Sequence, residues 1–376
     1  MKHNNYEEDK KFINFGWGYV DESVNYDSIL EEGFKESLDK YKYSILQYGD
    51  CFGFNDLRLE IVKWAPNFFK IPRFNYENII ITNGITNALD VVGRIILKKE
   101  YDSFILEPIY DTAICNLKNN SRKIHSLNIG GNDGYFDIKE SNYESIEKLF
   151  RTQKIKLFYI IPNYSNPTGL TLKLEDREKL GKLCKKYGVY IFEDDPYGVY
   201  NYTGNYIKTF YELFNDIVIY ANSFSKIGFP GLRIGFIVTK KEIIDKFAEL
   251  QKYTYSSPNL ISQSIIEYLI KNNQIDNIFS NRKEIMKKKY ILLKTHLLDI
   301  GSITLNIPMG GFYIWINIKK IDNFLKKSEK NGLKFIPGSI YGYKYEFNNY
   351  IRMSFSQIDI NLIEFGLDKI KIIANN

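Results

Sequence analysis

The sequence predicts an α/β protein in which a mostly parallel sheet carries helices on both faces, together with a smaller α+β unit. Between about residues 75 and 240, short β-branched or aromatic runs alternate with longer helical stretches, which is typical of strands joined by helical crossovers. After about residue 240, long helical stretches are followed by GGFYIWINI and NYIRMSFS, which indicates a second unit. We expect a large domain over residues 41–270 and a small domain that combines residues 1–40 with residues 271–376.

Six runs are the predicted strands of the large sheet, and several are continuously apolar, as strands buried on both faces are. They are Asn78–Thr82, Ser103–Glu107, Lys156–Pro162, Val189–Asp194, Asp216–Ala221 and Arg233–Thr239. Between the third and fourth runs, Leu174–Tyr187 is charged and amphipathic and is followed by Gly188, a common residue just past the end of a helix. We expect a βαβ unit here.

Composition and charge exclude several kinds of protein. The chain has 376 residues, of which 44% are hydrophobic and 26% charged, so it is able to bury a large core. The formal net charge of +6 is spread along the chain and not gathered in a basic arm, so we expect no nucleic-acid partner. The first 30 residues contain no apolar signal core, and no run reaches the roughly 18 apolar residues of a membrane span. We expect a cytoplasmic protein that has no membrane partner.

Cysteine and histidine are too few for several common catalytic sites. The three cysteines, Cys51, Cys115 and Cys184, form no CxxC pair, which argues against a zinc site or a disulfide framework and favours a reducing compartment. The three histidines lie far in sequence from one another and from the cysteines. We therefore expect no metal and no Ser/His or Cys/His relay.

The residues that directly follow the predicted strands are candidates for a ligand site, because ligands of open α/β sheets bind beyond the carboxyl ends of the strands. The first strand is followed by the segment NGIT at the start of a helix, where free backbone N–H groups suit a phosphate. The later strand ends supply an aromatic ring, an amide, a carboxylate, a second tyrosine, a lysine and an arginine. The candidate residues are Gly84, Ile85, Thr86, Tyr110, Asn166, Asp194, Tyr197, Ser223, Lys226 and Arg233.

Each candidate also has an ordinary structural explanation. Gly84 and Asn166 lie in turn sequences, and Asp194 is able to cap the next element. Lys226 belongs to a residue type that is usually exposed. Independent turns, however, have no reason to supply one complementary set at successive strand ends. The set suits pyridoxal 5′-phosphate, which needs a lysine amine, a carboxylate opposite the pyridine nitrogen, a donor near the ring oxygen, an aromatic face and a phosphate cradle.

The segment SFSKIGFPGLRIG at Ser223–Gly235 resembles the cofactor-lysine signature of the fold-type I pyridoxal-phosphate enzymes at almost every position. The resemblance runs from INFGWG to YIRMSFS and is to the class I/II aminotransferases, in the branch with 2-aminoadipate, aromatic and branched-chain aminotransferases. It implies an enzyme that moves an amino group between an L-amino acid and a 2-oxo acid through a Schiff base on Lys226. It also implies a homodimer with shared active sites.

The resemblance implies a role for each residue that contacts the cofactor ring. Lys226 carries pyridoxal 5′-phosphate and later shuttles the proton between the substrate α-carbon and C4′ of the cofactor. Asp194 pairs with the pyridinium nitrogen, and Tyr110 stacks on the ring. Tyr197 and Asn166 donate hydrogen bonds to the ring oxygen.

The resemblance also implies how the phosphate is held. Backbone N–H groups, one hydroxyl, one guanidinium and one tyrosine from a second subunit contribute, and they belong to Gly84, Ile85, Thr86, Ser223, Arg233 and Tyr48. Ile85 stands where many relatives have a serine, so that contact is expected through the backbone or through Thr86.

Three residues are implied to bind the substrate. Arg352 in NYIRMSFS holds the α-carboxylate through two parallel hydrogen bonds, Asn166 lies beside it, and Gly18 allows close approach of the N-terminal segment. Tyr19 and Tyr313 either line the pocket or are ordinary packing residues. No second arginine is assignable to a distal carboxylate, so the amino donor stays open.

Two alternatives to an aminotransferase are compatible with the sequence. The same scaffold supports β-lyases, because the same carbanion is able to expel a β-substituent. Some bacterial transcription regulators carry this fold as an effector domain behind a DNA-binding domain. The chain begins directly at the aminotransferase-like region, so we expect an enzyme.

Overall fold

The computed structural model describes residues 12–375 apart from residues 22, 299, 301 and 302. The strands are β1 (Ile13–Asn14), β2 (Ile79–Thr82), β3 (Asp102–Glu107), β4 (Ile124–Asn128), β5 (Gly131–Asn132), β6 (Tyr135–Phe136), β7 (Ile155–Ile160), β8 (Tyr190–Asp194), β9 (Val218–Ser223), β10 (Gly235–Val238), β11 (Ile303–Leu305), β12 (Tyr313–Ile318), β13 (Leu333–Lys334), β14 (Ile336–Pro337) and β15 (Tyr350–Ser354). The α-helices are Asp27–Tyr41, Asn55–Phe68, Ile85–Ile96, Asp111–Asn120, Glu140–Thr152, Leu174–Tyr187, Phe210–Phe214, Lys241–Thr254, Leu260–Lys271, Gln274–Leu297, Ile321–Lys330 and Ile360–Asn375.

The large sheet has seven strands in the order β2, β10, β9, β8, β7, β3 and β4. β10 runs antiparallel to both of its neighbours, and the other neighbouring pairs are parallel. The prediction of a mostly parallel sheet is therefore confirmed, and each of the six predicted strands is present with its ends shifted by at most two residues. The edge strand β4 was not predicted.

Burial explains why these runs form the sheet. All residues of β2, β3, β9 and β10 are buried, as expected when helices cover both faces. The helix Leu174–Tyr187 has the predicted bounds. It begins with two acidic residues in its first turn and ends at Gly188, whose φ of 63° lies in the left-handed region that glycine adopts without strain. These crossovers bring the carboxyl ends of β3, β7, β8 and β9 to one edge of the sheet.

The C-terminal part of the chain forms a second sheet. β11, β12, β15 and β14 pair in that order, and each pair is antiparallel. The N-terminal strand β1 joins β13 in a separate parallel pair, while the helix Asp27–Tyr41 packs against the helix Leu260–Lys271. The division into domains at residues 41 and 270 remains a prediction.

The described residues contain no candidate membrane span and three free cysteines. None of the helices in that part of the chain combines the length and the apolar character needed to cross a bilayer. Cys51, Cys115 and Cys184 are free thiols.

Candidate active site

Most of the predicted site residues lie around one cavity of about 420 Å³ at the carboxyl edge of the large sheet. The cavity is bounded by the ends of the parallel strands, by the N-terminal segment and by the second sheet. The predicted residues on its wall are Gly18, Ile85, Thr86, Tyr110, Asn166, Asp194, Tyr197, Ser223, Lys226, Arg233 and Arg352. Two predicted residues are not on this wall: Gly84, which directly precedes Ile85, and Tyr48, which is 92% exposed on the same chain and lies outside the cavity.

Lys226 lies in the turn that follows β9 and points its amine into the cavity. Its Nζ donates a hydrogen bond of 2.7 Å to the carbonyl oxygen of Gly18. The backbone of the turn is held by Tyr200, whose hydroxyl donates to the Lys226 carbonyl at 2.7 Å. The rings of Tyr197 and Phe312 lie about 6 Å from the ammonium. The amine is thus fixed over the end of the sheet, beside two aromatic rings.

Asp194 ends β8 and holds one carboxylate oxygen without a partner. Its Oδ2 accepts a 2.6 Å hydrogen bond from the Tyr159 hydroxyl, whereas Oδ1 is buried and has no hydrogen-bond partner among the described residues. Burial raises the pKa of Asp194 to about 7, although the Tyr159 hydrogen bond and the charge of Lys226 act in the opposite direction. A buried, unsatisfied carboxylate oxygen calls for a donor, which a ring N–H⁺ would supply.

An anion cradle lies at the start of the helix Ile85–Ile96. Gly84 directly precedes this helix with φ of 84°, and a Cβ at this position would lie 2.7 Å from Nη2 of Arg233. Arg233 donates to the carbonyl of Pro230 at 3.1 Å and to Oγ of Ser225 at 3.4 Å. No carboxylate pairs with Arg233 in the described part of the chain. A helix N-terminus beside an unpaired guanidinium suits a phosphate.

Arg352 on β15 is the buried cation on the opposite side of the cavity. It is 7% exposed, and its guanidinium lies 4.5 Å from the ring centre of Tyr313 and 5.1 Å from that of Tyr341. Nη1 donates to Oδ1 of Asn166 at 2.9 Å, Nη2 donates to the carbonyl of Gly16 at 2.5 Å, and the buried Nε has no partner among the described residues. A buried arginine that has no carboxylate beside it among the residues that the structure describes suits a ligand carboxylate.

The remaining predicted ring contacts surround the space between these groups. The Tyr197 hydroxyl lies 3.2 Å from the hydroxyl of Tyr313. Asn166 accepts from Arg352 through Oδ1, so its Nδ2 end is the donor that it can offer to a ligand. Tyr110 directly precedes the helix Asp111–Asn120, and burial raises the pKa of its phenol.

Several residues of the cavity wall and its surroundings were not predicted from the sequence, or had no single explanation there. Tyr159 was not singled out, although a tyrosine inside an apolar strand usually needs a partner for its hydroxyl. Trp17 and Tyr341 also line the cavity and had no distinguishing signal. Tyr19 and Tyr313, for which two explanations were open, both lie on the cavity wall.

These residues fit pyridoxal 5′-phosphate. The unsatisfied oxygen of Asp194 would accept from a ring N–H⁺, Lys226 would supply the amine, and the cradle at Gly84 would hold a phosphate because glycine has no Cβ. The fit is good. The fold and the site together define a pyridoxal-phosphate-dependent enzyme of fold type I.

Comparison with known proteins gives the family. The sequence model described as aminotransferase class I and II matches residues 10–370, so the chain belongs to that family. It is similar to aromatic-amino-acid aminotransferase 1 of Thermococcus litoralis, with 27% identity over 91% of this chain and 83% of the relative. It is also similar to the 2-aminoadipate transaminase of Thermus thermophilus, with 24% identity over 86% of this chain and 80% of the relative.

A similar solved structure is also that of an aminotransferase. Kynurenine aminotransferase of Pyrococcus horikoshii, in complex with PMP, matches with a TM-score of 0.89 and 25% identity over 100% of this chain and 95% of its own. Relatives named as transcriptional regulators match as well, such as NorG of Staphylococcus aureus, with 25% identity over 98% of this chain and 81% of the relative. The family and the first relatives nevertheless identify an aminotransferase, and neither the β-lyase nor the effector domain is favoured. The predicted enzyme class and cofactor are confirmed.

Proposed function

We propose that Lys226, Asp194 and Arg352 divide the work of amino-group transfer between an L-amino acid and a 2-oxo acid. One observation carries the proposal. These three charged side chains reach one cavity from three separate elements, and none of them forms an ion pair within the described part of the chain. Buried charges that a protein leaves unpaired are typical of a site that receives charged ligands.

Each side chain has a separate task in this proposal. Bound pyridoxal 5′-phosphate supplies the electron sink that stabilises the carbanion formed when the substrate loses its Cα proton. Asp194 holds a negative charge at the ring nitrogen. Lys226 first tethers the cofactor, and its amine then moves the Cα proton as a general base. Arg352 binds the α-carboxylate at two points and so directs the Cα–H bond toward Lys226.

The cavity wall supports an amino donor with a neutral side chain. The basic residues on the wall are Lys226, Arg233 and Arg352, and each already has a task. Beside them, Trp17, Tyr19, Ile336, Ile340 and Tyr341 form an aromatic and aliphatic surface. We therefore propose aromatic or large aliphatic amino acids as donors, in line with the aromatic-amino-acid aminotransferase among the relatives.

We further propose that the enzyme is a cytoplasmic homodimer whose sites take Tyr48 from the partner subunit. Tyr48 is 92% exposed, and Tyr43 and Leu46 are also exposed. Several large apolar side chains exposed in one short segment are typical of an interface. The three free thiols support the reducing compartment.

The proposal is tested by locating the covalent link and following the half-reactions. The protein is loaded with pyridoxal 5′-phosphate, reduced with borohydride and mapped, and the modified peptide is expected to carry its adduct at Lys226. Lys226→Ala is expected to abolish turnover, while Lys252→Ala, an exposed lysine, serves as the matched control. Phenylalanine, leucine and 2-aminoadipate are compared as donors to 2-oxoglutarate and pyruvate.

Two results would overturn the proposed function. An adduct at another lysine, or turnover that survives Lys226→Ala, would remove the proposed base. Release of pyruvate from a β-substituted alanine without an oxo-acid acceptor would instead indicate a β-lyase.

A further inference from the structure

The Tyr313 hydroxyl lies at the centre of the active site and has no role in the scheme above. Tyr313 begins β12 and is 2% exposed. Its hydroxyl lies 3.2 Å from that of Tyr197, and a Cβ on Gly18 would come within 1.9 Å of it. The N-terminal segment therefore packs directly on this hydroxyl, and only glycine fits at position 18. Lys226 donates to the carbonyl of the same glycine.

A pair of phenols has two possible hydrogen-bond directions. Each hydroxyl has one proton, so at any moment only one of the two can donate to the other. When Tyr197 donates to Tyr313, its proton is turned away from any ligand in the cavity. When Tyr313 donates to Tyr197, the Tyr197 proton is free to bind a ligand oxygen.

We propose that Tyr313 is a positioning residue that sets the direction of this hydrogen bond and thereby decides whether Tyr197 can donate to the ring oxygen of the cofactor. The inference rests on the proposed role of Tyr197 toward pyridoxal 5′-phosphate. It adds a pH-dependent element to the site, because a deprotonated Tyr313 is only able to accept.

The charges that face Tyr313 support this arrangement. They come from Lys226 after β9, from Arg352 on β15 and from Asp111 at the start of the helix Asp111–Asn120. Burial alone would raise the pKa of the Tyr313 phenol, but Lys226, Arg352 and the hydrogen bond from Tyr197 outweigh burial and Asp111, so the pKa is lowered.

Tyr197 responds in the opposite direction. Burial, with smaller contributions from Tyr313, Tyr110 and Asp194, raises the pKa of Tyr197 well above its ordinary value. As the pH rises, Tyr313 therefore loses its proton first and becomes the acceptor. A phenolate at Tyr313 would also compete with the substrate carboxylate for Arg352, because the guanidinium lies over its ring.

The first experiment uses the full-length protein without cofactor, so that Lys226 is free. Tyrosine ionisation is followed by near-ultraviolet absorbance against pH in the wild type and in Tyr313→Phe. We expect one phenol of the wild type to ionise below the ordinary tyrosine pKa of about 10, which gives the absorbance titration an early phase. We expect Tyr313→Phe to lose that phase. Tyr341→Phe is the matched control, because Tyr341 also lies beside Arg352 but burial raises its pKa. Tyr341→Phe is expected to keep the phase.

A second variant covers the case in which Tyr313→Phe does not fold. Tyr197→Phe removes the hydrogen bond to Tyr313 and leaves the charges of Lys226 and Arg352 in place. We expect the phase to persist in this variant and to shift to higher pH. If the phase is absent in the wild type, survives Tyr313→Phe or does not shift in Tyr197→Phe, the inference is overturned.

The loaded enzyme supplies the link to function. In Tyr313→Phe, Lys226 is expected to remain modified, and the alkaline decrease in kcat/KM is expected to shift to higher pH. An unchanged alkaline limb would contradict the positioning role. Failure of the proposed function would be distinct, because then no adduct would form at Lys226 in the wild type.

Discussion

The Tyr159 hydroxyl donates a 2.6 Å hydrogen bond to Oδ2 of Asp194 across neighbouring strands of the large sheet. Tyr159 is completely buried. Burial and the adjacent carboxylate raise the pKa of its phenol well above the ordinary value, so the phenol remains a donor at all working pH values. This hydrogen bond opposes the burial that raises the pKa of Asp194 to about 7. Tyr159 therefore stabilises the ionised form of Asp194, the carboxylate that we propose pairs with the ring nitrogen of the cofactor.

Tyr159→Phe is expected to weaken cofactor binding. Loss of a hydrogen bond to a charged group costs about 1.5–3 kcal/mol, so the dissociation constant for pyridoxal 5′-phosphate should increase about tenfold or more near pH 7. The difference should decrease at higher pH, where Asp194 is ionised in both proteins. Equilibrium binding followed by cofactor absorbance at several pH values measures this effect. Tyr220→Phe is the control, because Tyr220 is buried on the next strand and contacts Asp195 instead. An equal loss at all pH values would indicate a purely structural role for Tyr159.

The main strands were predictable because burial on both faces leaves continuous apolar runs. Such runs predicted β2, β3, β7, β8 and β9. They therefore also predicted which residues lie at the ends of these strands. The edge strand β4 escaped detection because it includes polar residues, of which His125 hydrogen-bonds Asp102 on the neighbouring strand. The antiparallel direction of β10 has no signature in its own residues, because direction depends on how the chain returns to the sheet.

The missed parts of the site depend on contacts between distant segments. The Gly18 approach to Tyr313 joins residues almost three hundred positions apart, and the packing of a glycine against a phenol leaves no periodicity in the sequence. The hydrogen bond of Tyr159 is likewise formed between separate segments, because its acceptor, Asp194, lies on the neighbouring strand β8. Residue type and strand position therefore predicted most of the charged and polar groups that line the cavity, but not the groups that orient them.

Gly84→Ala is expected to weaken phosphate binding more than strain alone would explain. Gly84 has a φ of 84°, and an added Cβ would lie 2.7 Å from Nη2 of Arg233. Gly204 has a φ of 85° and open space around its own added Cβ, so Gly204→Ala also places an alanine at a positive φ, where side chains are disfavoured, without the contact. Thermal unfolding and cofactor affinity are measured for both variants. We expect a loss of stability in both and weaker cofactor binding in Gly84→Ala alone; weaker binding in both would remove the cradle from the explanation.

Subunit complementation is expected if Tyr48 acts in the site of the partner subunit. Tyr48→Ala should lower cofactor affinity, and Lys226→Ala should abolish turnover. When the two variants are co-expressed, each mixed dimer contains one site with an intact Lys226 and an intact Tyr48 from the other subunit. Purified mixed dimers, carrying different affinity tags, should therefore recover about half of the wild-type activity at low cofactor concentration. If mixed dimers are no more active than the Tyr48→Ala protein, Tyr48 does not act between subunits.

Asp194→Asn is expected to change how the stability of the cofactor-free protein depends on pH. Burial raises the pKa of Asp194 from 3.8 to about 7, so its folded pKa exceeds its unfolded pKa. The associated stability is fully present below about pH 4 and is lost as the pH rises through about 7. At 1.36 kcal/mol per pKa unit, the loss is at most about 4 kcal/mol. Asn cannot ionise, so the stability of the variant relative to the wild type should increase between about pH 4 and pH 8.

Urea unfolding at several pH values measures that relative stability without cofactor. Other buried carboxyls such as Asp195 are present in both proteins, so the comparison largely removes their contributions. Asp245→Asn changes an exposed carboxyl and should show no comparable trend. With cofactor bound, the order is expected to reverse at neutral pH, because the carboxylate then pairs with the ring nitrogen and the amide does not. A relative stability that is independent of pH without cofactor would mean that Asp194 is not held at a raised pKa, and burial would then not be the dominant influence on this carboxyl.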